Sequence, residues 1–141
     1  MEEQTSALTA LLCKLTLNLQ RIAALEDIKT KVLIKGSAEE LGALLNAQQP
    51  LIMQSYNLER QRTKLQESMG MEKDEMLRIT ENPAPGDETR LADSYRELKK
   101  AIKELHRLGT HNGQVLRTRI DTKKNLLRIL GADTTLPTYT R

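Results

Sequence analysis

LADSYRELKKAIKELHRLGTHNGQVLRTRIDTKKNLLRIL, residues 91–130, is the stretch that decides the fold. Leu91, Tyr95, Leu98, Ile102, Leu105, Gly109, Asn112, Leu116, Arg119, Lys123, Leu126 and Leu130 recur at spacings of four and three. That spacing lines them along one side of an α-helix. At about 1.5 Å per residue the helix is roughly 60 Å long, so it needs an equally long neighbour. Through Leu105 the seam is apolar. Past Gly109 and Asn112 it acquires Arg119 and Lys123, and the apolar residues drift to Ile120, Leu127 and Leu130.

The segments upstream supply the neighbours. Leu8, Leu12, Leu15, Leu19, Ile22, Leu25, Ile28 and Val32 mark a first helix, with Ser6 as its expected N-cap and Gly36 as a left-handed stop. Ser37 and Glu40 then form a capping box, so a second helix starts at once and folds back on the first. That helix carries Leu41, Leu44, Gln48, Leu51, Ser55, Leu58, Arg62, Leu65 and Met69, bends at Pro50 without breaking, and ends at Gly70. A short helix is expected from about Glu72 to Thr80, and Asn82–Gly86 is a loop. The expected fold is all-α, an elongated antiparallel three-helix bundle or coiled coil with a short helix or loop between helices two and three. Residues 1–132 are expected to form one domain and 133–141 a mobile C-terminal tail. Leu15, Ile22, Leu44, Leu51, Leu58, Leu98, Ile102 and Leu105 are expected to be buried together.

Composition points the same way. The chain has no Phe or Trp, and its aromatics are Tyr56, Tyr95 and Tyr139, which suits helices filled by Leu, Ile, Ala and Met better than a sheet. Cys13 is the lone cysteine, so no intrachain disulfide forms; it reads as a small, partly buried side chain. No unbroken run of about 18 apolar residues occurs, so no membrane insertion is expected. The acidic start at Glu2 and Glu3 does not read as a secretory signal, and the expected location is cytoplasmic. Residues 90–141 hold twelve Lys or Arg against five Asp or Glu, and residues 1–89 hold ten against fourteen. A basic third helix suits an acidic partner. The absence of an aromatic stacking set argues against nucleic acid.

His106 and His111 are five apart and fall on different helix faces, which does not suit two helical metal ligands. The adjacent acids Glu26–Asp27, Glu39–Glu40 and Asp74–Glu75 read as solvated charges. No phosphate-binding loop or nucleophile elbow is present, so no enzyme, cofactor, metal or small-molecule substrate is expected.

Two stretches carry a family resemblance. LERQRTKLQESMG, Leu58–Gly70, resembles the second-helix ending of the FlgN family, small helical chaperones of flagellar type III export. LKKAIKELHRLGTHNGQVL resembles that family's third-helix signature, in which leucines lead into two Asn three residues apart and then an apolar pair. Asn112 matches the second Asn and Val115 with Leu116 the pair, while Gly109 stands where the first Asn would be. The resemblance implies a cytoplasmic chaperone that binds the C-terminal segments of hook-filament junction proteins and delivers them to the cytoplasmic domain of the export gate. The alternative reading is a structural coiled-coil adaptor for permanent assembly.

The residues themselves suggest where a client would lie. Arg119 and Lys123 occupy seam positions that a closed bundle would fill with apolar groups, beside an apolar stripe through Ile120 and Leu127 with cationic borders. Asn112, Leu116, Ile120, Lys123, Leu127 and Leu130 are therefore the expected client-binding residues. Packing of the same leucines on the N-terminal half of the first helix or on a neighbouring copy is the competing reading. Tyr139, the one aromatic side chain of the tail, is the expected docking residue there, and the resemblance implies an export-gate contact near that end.

Overall fold

The computed structural model describes residues 2–131. Within them lie four helices and no strand: α1 (Glu2–Lys35), α2 (Ala38–Ser68), α3 (Lys73–Glu81) and α4 (Asp87–Ile129). α1 begins at Glu2, so Ser6 lies inside the helix and is not its N-cap. The capping box between α1 and α2 forms as expected: the Glu40 amide donates to Ser37 Oγ at 3.1 Å, and the Ser37 amide donates to Glu40 Oε1 at 3.3 Å. Gly36 does not adopt a positive φ. Its requirement is space, because a Cβ there would come within 2.7 Å of the Val32 side chain and 2.8 Å of its carbonyl oxygen. Gly70 does provide a left-handed stop (φ 67°). Its amide donates to the Glu67 carbonyl and that of Met71 to the Gln66 carbonyl at 2.9 Å, which satisfies the carbonyls ending α2. The helix runs through Pro50 without interruption.

Cross-helix hydrogen bonds set the directions. Asn18 of α1 donates to the Leu51 carbonyl at 2.6 Å and to Ser55 Oγ at 2.7 Å, whereas Glu26, further along α1, meets the earlier residue Gln48. α2 therefore runs antiparallel to α1. Against α4, Cys13 meets Ser94, Glu26 meets Asn112, and Leu33 meets Arg119. α4 therefore runs parallel to α1. Both long neighbours lie on α1, but no Cα of α2 comes within 8 Å of one in α4. α3 packs on α4 and inserts Met76 and Ile79 into a core with Leu8, Leu12, Leu15, Leu58, Leu91 and Leu98.

The wide backbone spacing between α2 and α4 bears on which expected core residues stay exposed. Leu15, Ile22, Leu58 and Leu98 are buried, Leu44, Leu51 and Leu105 are half-buried, and Ile102 is 50% exposed. The α4 seam is also rotated from the one traced through large side chains. α1 covers Leu98, Ala101, Leu105, Leu108 and Asn112, so the second row is Ala101–Leu108 and not Ile102–Gly109. Ala101 lets the α1 backbone approach, and Gly109 has no side chain to bury. Cys13 is exposed, with its Sγ 3.5 Å from Ser94 Oγ.

Although it has no long unbroken apolar run, α1 reaches a mean hydropathy of 1.2 over an 18-residue window, enough by length and composition for a membrane span. A core helix meets the same test, and α1 is the helix on which both long neighbours lie.

The rotated seam has a direct consequence. Leu98→Ala and Leu108→Ala should each destabilise by roughly 2–5 kcal/mol, as buried leucines do, and Ile102→Ala by about 1 kcal/mol or less. Urea unfolding of the three variants checks this, and equal losses would restore the row through Ile102.

Candidate functional site

Two features position the far half of α4. The first is a polar layer inside the apolar seam. Asn112 is only 4% exposed, and its Nδ2 donates to the Glu26 carbonyl at 2.7 Å and to Glu26 Oε2 at 3.1 Å. Thr30 Oγ1 donates to Asn112 Oδ1, Lys29 Nζ donates to Glu26 Oε1 at 2.8 Å, and Gln48 adds a hydrogen bond to the same carboxylate from α2. Burial pushes the Glu26 carboxyl up. The hydrogen bonds from Lys29, Asn112 and Gln48, with the Lys29 charge, outweigh burial and hold it below its ordinary value of 4.5.

The second feature is Arg119. Its guanidinium donates to the carbonyls of Leu33, Val32 and Gly36, the latter two at 3.4 Å, so a side chain of α4 caps the C-terminal end of α1. Arg119 thus has a structural partner and does not merely border a binding stripe. Because α1 ends at Lys35, level with Arg119, the last ten residues of α4 (120–129) run on past the hairpin for about 15 Å. The face that α1 covers lower down is left bare there.

The expected client residues separate accordingly. Leu116 (41% exposed), Ile120 (45%), Lys123 and Leu130 (77%) are open, and Leu127 is half-buried. Asn112 sits apart from them in the α1–α4 interface, with its side-chain hydrogen bonds directed to α1. Because α4 is parallel to α1, the far half of α4 lies at the C-terminal end of α1 and does not pack on its N-terminal half. Tyr139 lies outside the described residues. His106 and His111 are exposed, and no group of three or more His, Cys, Asp or Glu among the described residues is placed to hold a metal.

Charge changes along the same helix. Arg90, Arg96, Lys100 and Arg107 each have a carboxylate partner three residues earlier. Beyond Arg107, Asp121 is the one acid before Gly131, and none of Arg117, Lys123 and Lys124 has an ion-pair partner among the described residues. Sequence pattern had missed Glu26, Thr30 and the capping role of Arg119. Glu26 was legible as the next member of the strict seven-residue row Leu12, Leu19, Glu26, Leu33, and Arg119 as the successor of Asn112 in its own row.

A helical scaffold with a bare, apolar and cationic helix end has the make-up of a protein-binding module. The sequence model of one such class, the FlgN family (FlgN protein), matches residues 1–141. The chain belongs to the FlgN family, and that membership supports a flagellar export chaperone. No curated protein and no solved structure matches it.

The polar layer predicts a pH dependence. A carboxyl held below its ordinary value adds stability above about pH 4.5, and that stability is lost as pH falls through the depressed folded value. Wild type should therefore lose its advantage over Glu26→Gln progressively below about pH 4.5. Melting temperatures of the two proteins between pH 3 and pH 7 check the sign; a constant difference would show that Glu26 titrates alike folded and unfolded.

Proposed function

We propose that the protein is a cytoplasmic chaperone that holds the C-terminal segments of hook-filament junction proteins and hands them to the cytoplasmic domain of the flagellar export gate. Family membership supports the export role, and one observation supports the place of binding. Ile120 and Leu130 are exposed where α4 has outrun its neighbours, and Leu116 is exposed one turn before. An amphipathic client helix laid on Leu116, Ile120, Leu127 and Leu130 would remove that apolar surface from water. Acidic client borders would meet Arg117, Lys123 and Lys124. Asn112 serves this seat from behind, by holding α4 in register against Glu26. The cationic end disfavours pairing between copies, which weighs against permanent self-assembly as an adaptor.

Ile120→Asp and Leu127→Asp, made separately, should each weaken binding to hook-filament junction proteins at least tenfold. Helix content and melting temperature should stay near wild type, read by circular dichroism beside calorimetric titration. Variants that stay folded and bind normally would remove the client from this face.

The tail provides a separate test. We assign the export-gate contact to Tyr139 on the family's behaviour and on its being the one aromatic side chain beyond Leu136. Deleting residues 133–141 should reduce binding to the gate's cytoplasmic domain and spare client binding; equal loss of both would show that the tail has no separate partner.

A further inference from the structure

We infer that the groove between the last turn of α1 and the adjoining face of α4 is a second seat on the chaperone, taking an acidic amphipathic segment of the same exported client. This rests on the reading that the far end of α4 binds a client, and it adds a site to that reading. The groove encloses about 740 Å³, within the range of roughly 300–1,000 Å³ typical of ligand pockets. Leu33 and Ile34 of α1 form one wall, and Val115 and Leu126 of α4 form the other. Ile34 and Leu126 are more than half exposed, so the apolar walls are open to a ligand without any rearrangement of the fold.

The groove is not the Ile120–Leu127 stripe seen from another angle. Neither of those residues lines it, and Val115 and Ile120, five residues apart, point about 140° away from each other around the helix. A client engaging both would grip α4 from two sides.

Charge selects the occupant. The charged residues lining the groove, Arg119 and Lys123, are both cationic, and no carboxylate lines it. Lys123 has no ion-pair partner among the described residues, and neither do Arg117 and Lys124 nearby. A second copy docking through this same face would bring the same cations against these and be repelled, whereas an acidic helix would be drawn in. Nucleic acid shares the charge preference, but the walls are aliphatic, and His111 is the one ring among the lining residues, with no Phe, Tyr or Trp beside it for base stacking.

The test uses the full chain and full-length hook-filament junction protein from the same genome, titrated by calorimetry at low and high salt. Ile34→Asp and Leu126→Asp report on the groove and Ile120→Asp on the stripe, each checked for helix content; if one groove variant fails to fold, the other decides. The proposal expects each folded groove variant to weaken binding at least tenfold, with the wild-type affinity falling as salt rises. Groove variants that bind within twofold of wild type overturn it, and loss in Ile120→Asp alone would then leave the stripe standing. Loss in the groove variants with none in Ile120→Asp keeps the groove and removes the stripe. Displacement of the client by a duplex DNA oligonucleotide at equal concentration would also overturn it, by showing that the groove is a nucleic-acid site.

Discussion

A carboxylate inside a helix interface must be answered by donors, and Glu26 is answered from all three long helices. Lys29 reaches it from its own helix, Gln48 from α2 and Asn112 from α4. The layer therefore fixes register as well as contact, since an apolar seam alone would tolerate a shift of seven residues. Sliding α4 by one heptad in one direction would set Leu105 against the carboxylate and leave it short of a donor. Sliding it the other way would withdraw Arg119 from the carbonyls that end α1. Register in turn fixes where α1 stops along α4, and hence how much of α4 is left uncovered. The position of the bare helix end is thus a consequence of one buried hydrogen-bonded layer well below it.

That dependence also explains what could be read in the sequence. The helices, the capping box, the stop at Gly70 and the short α3 followed from local spacing and turn chemistry, because those features are decided within a few residues. The core rows were harder. In both α1 and α4, tracing the seam through the largest apolar side chain at each step led off the strict seven-residue row, to Leu25 and Ile28 instead of Glu26, and to Ile102 instead of Ala101. Helix packing follows the phase of the backbone, and a small or polar residue keeps its place in the row if its neighbour suits it. Glu26 and Asn112 each look out of place alone, and only their juxtaposition across 86 residues of sequence makes them a pair.

The wide spacing of the α2 and α4 backbones was not legible at all. Three amphipathic helices suggest a closed triangle, but closure requires the third pair of faces to match, and α2 carries Gln48, Ser55 and Arg62 in one of its rows. Those groups find partners on α1 or within α2 itself, so a close α2–α4 approach would gain little apolar burial. α1 is left as the common partner. At the far end of α4, Leu116, Ile120, Lys123 and Leu130 are exposed and Leu127 is half-buried, while Asn112 was grouped with them because spacing alone cannot tell a residue facing a neighbour from one facing solvent.

The two halves of α4 show how a helix can remain bare without joining to its own kind. In the first half, cations alternate with acids one turn away, and the surface is nearly neutral pair by pair. In the second half the apolar residues are exposed and the acids have gone, apart from Asp121. Exposed leucines on a neutral helix would pair with any similar helix, including a second copy. The surplus of cations adds a repulsive element against copies and an attractive one toward acidic segments, which is how charge converts a general hydrophobic surface into a selective one. The helix spends its acids where it is packed and withholds them where it is free, so the same seven-residue pattern that builds the scaffold ends in a surface that only a differently charged helix completes.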